Sequence, residues 1–576
     1  MAGPVVNTPA RTTRPVSDEG RGMDSPTRST ALEPTDAPMV WHGWGDPAQR
    51  HGLPAGAEAF LAARIGPLGE VRTPVDLEDV RLGPSALGTA ARSALVTVVG
   101  AQHVLDDRRT RVEHAGGKSY PDLVRRRAGD AVNAPDAVVR PGDHDEVQGV
   151  LQACASHRVA VVPFGGGTSV VGGVEPERGG FEAVVAVDLR RLRRLLHVEA
   201  GDRTATFEPG LRGPEAEALL AEHGLTLGHF PQSYEYATLG GYVATRSAGQ
   251  ASTGYGRIDD LVLGLRCATP LGELRAGRGV ASAAGPDMRA LLTGSEGTLG
   301  ILTEVTLQVQ PAPEVERHEA WVVPSFASGA ATLRALVHAG VAPHVTRLSD
   351  EDETATSLAQ IGGAKAAALQ TYLRARGIAR PCLLVLGSEG SESQVARAHA
   401  ATREVLARRR ALPLGRSAGA SWAASRFRGA YLRDELMDRG VMVETLETAT
   451  TWSALGELYL AVRDALTRTL TDRGTPPLVL CHISHLYPTG ASLYFTWLAR
   501  QEEGHELEQW EAAKVAASET IVARGATITH HHAVGIDHRR WMHDEVGDLG
   551  LEALRGVKDR LDPSGIMNPG KLLPPA

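Results

Sequence analysis

Residues 527–538 read TITHHHAVGIDH, so His530, His531 and His532 stand side by side. Imidazole titrates nearer neutral pH than other side chains, and a run of three can bind a metal, move protons or grip an anion. His482 and His485 lie at i, i+3 in CHISHLYPTGASLYFTWL, a spacing at which imidazoles can share a zinc ion. The end of that stretch alternates like a strand. Leu493, Phe495 and Trp497 fall on one face, and Ser492, Tyr494 and Thr496 on the other. Tyr494 then looks away from the apolar layer, either into a site or as a cap on the core.

A second group of residues can cradle a phosphate. PFGGGTSVVGG (163–173) sets Gly165, Gly166 and Gly167 after an apolar run, with the Thr168 and Ser169 hydroxyls next. Consecutive N–H groups without Cβ atoms form an anion nest, although a plain tight turn uses the same residues. The loop is not a dinucleotide fingerprint, for no glycine stands three residues after Gly167. It is not a Walker loop either, because Gly173 and Val174 occupy the Lys and Ser/Thr positions. PQSYEYATLGGYVATRSAG (231–249) and LLTGSEGTLGILTEVTLQV (291–309) are also rich in Gly, Ser and Thr. Three such segments suggest one long diphosphate ligand wrapped by backbone.

The elements that position these loops can be read locally. Ala137–Val139 is a short strand, and Asp143 with Glu146 forms a capping box. Val147, Val150, Leu151 and Cys154 make one apolar helix face, and 159–163 is a buried strand. Residues 254–274 read as a strand, a turn at Pro270–Gly272 and a return. Order begins near MVWHGWGDP (39–47). Residues 1–38, rich in Pro, Ser, Thr, Arg and Asp, read as a disordered tail.

Composition narrows the class. A chain of 576 residues allows several domains and a large core. A net charge of −8 gives no support for nucleic acid as a partner. No apolar run approaches the ~20 residues of a membrane span, and no signal-peptide core is visible. Cys154, Cys267, Cys382 and Cys481 show no CxxC spacing, which suits a reducing compartment. Only five of the 60 basic residues are Lys, a mark of a GC-rich genome, so a bacterial source and a cytoplasmic location are expected.

Taken together, GGGTSV, TGYGRIDDLV, GSEGTLG, YLRDELMDRGVMVETLET, HISHLYPTGASLYF and THHHAVG resemble the vanillyl-alcohol-oxidase/para-cresol-methylhydroxylase (PCMH-type) flavoprotein superfamily. Within it the chain looks most like the alkyldihydroxyacetonephosphate (alkylglycerone-phosphate) synthase family, from WHGWG (41–45) to the C-terminal helix. The resemblance implies an α+β fold class: a PCMH-type two-subdomain FAD-binding module, an α+β cap (substrate) domain, and helical N- and C-terminal segments. The implied boundaries are a helical region at 39–133, the FAD-binding domain at 134–313, the cap at 314–525, and a segment at 526–576 that returns to the FAD domain.

The implied cofactor is non-covalent FAD, because no His falls in the glycine loop. Four segments would hold it. The first is Pro163, Phe164, Gly165, Gly166, Gly167, Thr168 and Ser169. The second is Gln232, Ser233, Tyr234, Glu235, Tyr236, Ala237 and Thr238. The third is Thr245, Arg246, Ser247 and Ala248. The fourth is Glu296, Gly297, Thr298, Leu299, Gly300, Ile301 and Leu302.

The implied reaction exchanges the acyl chain of acyl-dihydroxyacetone phosphate for a fatty alcohol through a non-redox flavin N5 adduct, giving an ether lipid. Tyr494 is then the base, and His530, His531 and His532 manage protons and position substrate. Arg433 in YLRD, Arg347 in TRLSD, Thr445 in ETLET and His485 are the implied substrate contacts. A guanidinium fork suits phosphate. A phenol with an ordinary pKa near ~10 is a poor base unless cations lower it, a task expected of the histidines and an arginine.

No metal is expected. Dehydrogenase relatives carry H-x-G-D-G-N-x-H and G-E-H-G segments, and here Tyr494 replaces the second His of the first and His531 the Glu of the second. The implied partners are a phosphorylated acyl ketone and a long-chain alcohol, with peripheral contact at the inner face of a membrane and a homodimer left open. Residues 353–378 could lie on that membrane as an amphipathic helix, although a cap-domain helix pair is the plainer reading. DPSGIMNPGKLL (562–573) is closer to the dehydrogenase branch, which keeps an FAD-linked 2-hydroxy-acid or alcohol dehydrogenase as the alternative.

Overall fold

The computed structural model describes residues 34–35, 37–361 and 363–575. The tail expected over 1–38 lies outside them except at 34, 35, 37 and 38. There Arg212 Nη1 donates to the carbonyls of Thr35 (2.6 Å) and Ala37 (3.3 Å).

The first sheet runs in the order Val104–Leu105, Ala137–Val139, Ala183–Asp188, Val159–Phe164, the last three parallel. Parallel strands are covered on both faces, which is why VAVVPF and AVVAVD read as near-continuous apolar runs. The helix His144–His157 connects two of them and buries Val147, Val150, Leu151 and Cys154, as its periodicity requires. Asp143 caps it through the Glu146 N–H at 2.8 Å. The expected reciprocal bond is displaced: the Glu146 carboxylate takes the N–H of Gly142 at 2.6 Å instead, one residue earlier. The chain end adds to this sheet, for Ile566 and Asn568 exchange backbone hydrogen bonds of 2.8 Å with Val161.

The second sheet is antiparallel, in the order Leu195–Glu199, Thr204–Phe207, Ile301–Gln308, Val262–Thr269, Gly272–Ala276. The hairpin turns after Thr269 as expected, but its first strand begins only at Val262. Ser252–Tyr255 and Ile258–Leu261 are helical turns, the second closed by the Asp260 carboxylate on the Arg257 N–H at 2.9 Å. A carboxylate in that position favours a helix start over an extended chain.

The third sheet has seven antiparallel strands. Its order is Leu412–Gly415, Val315–Val323, Cys382–Gly390, Val345–Ser349, Leu478–Ile483, Gly490–Arg500, Val441–Thr451. Leu348, Cys481, Phe495, Trp497 and Leu446 turn one face of it into a core with Leu458, Val462, Ala513 and Ala517 of the helices Leu455–Asp472 and Glu506–Ala523. Side chains alternate along a strand, so four neighbouring strands send Arg347, His482, Tyr494 and the pair Thr445 and Glu447 to the opposite face. Residues 351–375 form the helices Glu351–Ile361 and Gly363–Ala375, and Leu373 with Ile378 packs on Val322 of the sheet. Among the described residues no helix is long and apolar enough to cross a membrane.

Candidate active site

Glu447 explains the three histidines. It lies directly across from Tyr494 in the strand register and is 0% exposed. Its carboxylate accepts the backbone N–H groups of His530, His531 (3.0 Å) and His532 (2.7 Å), and the Thr529 hydroxyl at 2.7 Å. A bare buried carboxylate is costly, and three successive N–H groups are a nest that satisfies it. Burial alone would raise its pKa. The N–H groups that the loop donates overcome that and hold the carboxyl well below its ordinary range. The clamp fixes the backbone of the run and fans the rings around the site.

Those rings meet Tyr494. His482 stacks on the phenol at 4.6 Å and 17°, His531 lies at 5.8 Å and 25°, and His532 meets it edge-on at 5.4 Å. Thr445, on the adjacent strand, hydrogen-bonds the phenol. The expectation that cations lower Tyr494 is overturned. Burial, with the Glu447 and Glu444 carboxylates, pushes it up to about 12, against the Thr445 bond and Arg347. The imidazoles cannot act as cations, because burial lowers His482, His530, His531 and His532 and leaves them neutral.

The other expected substrate contacts divide. Arg347 Nη2 is held by Glu353 (2.8 Å) and His482 Nδ1 (3.0 Å), so its guanidinium orients the ring stacked on Tyr494. His485 Nε2 donates to the Gly249 carbonyl at 3.1 Å, and its Nδ1 faces Ser484 and Ser492. Arg433 lies in a separate basic group and donates to the Lys118 carbonyl at 2.8 Å. Its Nε and Nη2 are buried without a hydrogen-bond partner among the described residues, and Nε lies 4.0 Å from Asp434 Oδ1. No hydrogen bond or ion pair among the described residues joins it to Tyr494 or the histidines. The metal question stays geometric: ligand atoms of His485, His530 and His531 lie within 4.8 Å of one another.

Three groups escaped the sequence reading. Glu447 sits inside the quoted ETLET, but nothing in its spacing marks it. Tyr487 reaches His530 Nε2 at 2.5 Å, with the Arg257 guanidinium near its hydroxyl. Behind the histidine loop, Lys514 Nζ, Ser518 Oγ, Asp537 Oδ2 and His538 Nε2 are buried without a protein partner among the described residues. Lys514 and Ser518 left a signal, polar residues on an otherwise apolar helix face, whereas Asp537 and His538 lie in the turn after the histidine run.

The expected cofactor segments converge. A Cβ on Gly165 would meet Thr238 Oγ1 at 2.4 Å, one on Gly166 the Tyr236 carbonyl at 2.1 Å, and one on Gly297 the Pro163 ring at 2.7 Å. The Glu296 N–H reaches the Ala244 carbonyl at 2.9 Å, beside the third segment. Many side chains there serve the protein itself. Glu235 takes the Tyr431 hydroxyl, Thr238 caps the helix Leu239–Thr245, Arg246 binds the Thr293 and Ala290 carbonyls, and Ser247 binds His229. Leu299, Ile301 and Leu302 are core. The Glu296 carboxylate holds the N–H groups of Val534 (2.8 Å) and Gly535 (2.7 Å), tying this segment to the histidine loop. What remains is backbone: the N–H groups of Gly165, Gly166, Gly167, Thr168 and Ser169 find no protein acceptor among the described residues. Five free donors in a cradle that no Cβ can enter fit a diphosphate.

Comparison with known proteins agrees with this geometry. The chain matches the FAD binding domain family over residues 135–277 and the family of FAD linked oxidases, C-terminal domain, over 312–572. It is similar to an alkyldihydroxyacetonephosphate synthase of Dictyostelium discoideum, 32% identical over 93% of each chain. It is also similar to one of Trypanosoma brucei brucei, 33% identical over 86% of this chain and 82% of the relative. A solved alkyldihydroxyacetonephosphate synthase superposes with a TM-score of 0.80 at 29% identity, covering 92% of this chain and 98% of the other. The p-cresol methylhydroxylase structure, at 16% identity and a TM-score of 0.66, shares the PCMH-type fold. The fold class is therefore α+β of the PCMH type, and the cofactor is FAD. Both synthase relatives are eukaryotic, so they lend no support to the bacterial source expected from composition.

The cradle gives a first test. Gly166→Ala is expected to yield a folded but colourless protein, because the new methyl must part the loop from the Tyr236 carbonyl. Visible absorbance of the purified variant is the check, and a wild-type flavin content would show that the cradle is not the seat of FAD.

Proposed function

The chain belongs to the alkyldihydroxyacetonephosphate synthase family, and from that membership we propose that it is an FAD-dependent transferase. It exchanges the acyl chain of acyl-dihydroxyacetone phosphate for a fatty alcohol without net redox change, making the ether bond of an ether lipid. The observation that carries this reading is the cluster of Tyr494, His531 and His532, a phenol among neutral imidazoles that can take, hold and return a proton. Bound FAD supplies an electrophilic ring and leaves turnover in the oxidation state in which it entered. The free N–H groups of Gly165 to Ser169 would hold its diphosphate, without a covalent link.

The protein's own residues take the remaining tasks. Arg433 presents Nε and Nη2 to the substrate phosphate, since neither has a hydrogen-bond partner among the described residues. Tyr494 accepts a proton, and the Thr445 hydrogen bond favours the phenolate that results. Arg347 acts through Glu353 and His482, holding the ring against which the phenol stacks. Neutral imidazoles beside Tyr494 relay the proton that the incoming alcohol must lose. Both lipid chains partition into membranes, so contact with a lipid surface belongs to the same proposal. The oxidoreductase alternative is weaker, since the synthases match over more of the chain at higher identity than the D-lactate dehydrogenase of Arabidopsis thaliana, 29% identical over 77% of it.

An anaerobic visible spectrum separates the two. Acyl-dihydroxyacetone phosphate should perturb the flavin spectrum, and a fatty alcohol should restore oxidised flavin. Full two-electron bleaching by a 2-hydroxy acid would instead make the protein a dehydrogenase.

A further inference from the structure

A carboxylate stands beside the arginine on which the phosphate grip depends. Asp434 follows Arg433 on the helix Gly429–Met437 and is 0% exposed. Its Oδ1 stops 4.0 Å from Arg433 Nε, beyond hydrogen-bond reach but close enough to attract it. Carboxylate and phosphate are both good partners for a guanidinium fork, so Asp434 competes with a phosphate for Arg433. A small rotation of either side chain would close the pair and consume the donors.

The N-terminal segment opposes that rotation by holding the carboxylate from its other side. Asp434 Oδ2 accepts the Trp44 N–H at 2.6 Å and Arg50 Nη2 at 2.9 Å. Arg50 Nη1 reaches Asp438, one helical turn on, at 3.0 Å, and Arg127 Nη2 meets the same carboxylate. The Arg50 fork therefore spans two acids on one helix face. Two carbonyls of the segment complete the attachment: His42 accepts from Arg127 Nη1 at 3.1 Å and Val40 from Lys118 Nζ at 2.7 Å. The Lys118 carbonyl in turn accepts from Arg433 Nη1 at 2.8 Å, and the Lys118 N–H donates to the Ser169 carbonyl of the glycine loop at 2.6 Å.

The residues of WHGWG suit this placement. The backbone has to lie against the helix, and a side chain at either glycine would prevent it. A Cβ on Gly43 would run into Asp434 Oδ2, and one on Gly45, at φ +61°, into the Tyr431 hydroxyl. Trp44 is 4% exposed and meets Tyr236 edge-on at 5.8 Å, which anchors the turn on the second cofactor segment.

We propose that residues 40–50 are a strap that holds Asp434 off Arg433 and so keeps the guanidinium open to the substrate phosphate, with Arg50 as the positioning residue. The phosphate half of this rests on the transferase reading. Arg50 touches no reacting atom. It works through Asp434, occupying one carboxylate oxygen and offsetting a charge that would otherwise repel the incoming phosphate.

Calorimetric titration of the FAD holoenzyme with dihydroxyacetone phosphate reads the site without turnover. Arg50→Met releases the carboxylate and should raise Kd about tenfold, the worth of one hydrogen bond to a charged group. KM for acyl-dihydroxyacetone phosphate should rise with it, while kcat stays within ~threefold and flavin content is unchanged. Adding Asp434→Asn removes the competitor, so Arg50→Met with Asp434→Asn should return Kd to within ~threefold of wild type. A strap with a merely structural role would make the double variant no better than the single one. Gly43→Ala displaces the same carboxylate by a separate route and serves where Arg50→Met does not fold. It should raise Kd and be rescued by Asp434→Asn in the same way. A Kd that neither variant raises, or a rescue that fails, would overturn the proposal. Flavin loss on Arg50→Met would do the same, since it would place the strap's task at the cofactor. A wild-type holoenzyme that takes up no dihydroxyacetone phosphate would sink both readings, whereas bleaching by a 2-hydroxy acid with the rescue intact would sink the transferase reading alone.

Discussion

Tyr494→Phe should lower kcat by about 10²–10⁴, the range for loss of a positioned acid–base group, while flavin content and Tm stay near wild type. The ring remains, so its stacking on His482 at 4.6 Å and its place in the strand are kept. Only the hydroxyl and its bond to Thr445 are lost. The pH profile sharpens the test. A base works in its deprotonated form, and burial has pushed Tyr494 up to about 12. Below that value the ionised fraction grows tenfold per pH unit. Wild-type kcat/KM should therefore climb with pH between about 6 and 9 without a plateau, since kcat/KM reports the free enzyme. Tyr494→Phe should flatten the climb. A wild-type plateau in that range, or a Phe variant within ~threefold of wild type, would place the base elsewhere.

The second large effect is expected at Glu447. Glu447→Ala leaves three backbone N–H groups and the Thr529 hydroxyl without their acceptor inside the protein. Breaking a buried, hydrogen-bonded charge site of this kind costs about 3–5 kcal/mol, and the histidine loop should lose its order with it. Glu447→Gln keeps the shape, but its amide NH2 faces donors, so a smaller loss of about 1–3 kcal/mol is expected. The pH dependence has a definite sign. The folded-state pKa is depressed from an ordinary 4.5, so the stabilisation is complete above that value and is lost as pH falls below it. Denaturation midpoints measured from pH 7 to pH 3 should fall more steeply for wild type than for Glu447→Gln. Parallel curves would show that the carboxylate is not the clamp.

Both effects act on Tyr494, Glu447 and the three histidines, but they separate in readout. Tyr494→Phe should remove chemistry and spare stability. Glu447→Ala should remove stability first and activity as a result, because Glu447 touches the histidine backbone rather than any reacting atom.

Local pattern was enough for some of this. Alternation in ASLYFTWL placed Tyr494 opposite Phe495 and Trp497, and both of those are 0% exposed. The period of Val147, Val150, Leu151 and Cys154 gave a helix face, and the glycine run gave a loop of free N–H groups. Each follows from backbone geometry within a few residues, which any fold containing the segment must respect. The boundary at 254–262 failed on the same scale, because a carboxylate on the Arg257 N–H outweighed an apolar run that resembled a strand.

By itself, then, the sequence determined which residues share a strand face, where the phosphate-sized loop falls, and which family the motifs resemble. Only the tertiary structure decided what the three histidines are for. Their partner Glu447 lies 83 to 85 residues away, and the Tyr487 that meets His530 lies 43 away. It also decided their charge, turning expected cations into neutral donors and acceptors, and it set Arg433 apart from Tyr494. The reason is physical. Periodicity is a property of neighbouring backbone, whereas protonation and donor direction depend on desolvation and on groups the fold brings from elsewhere in the chain.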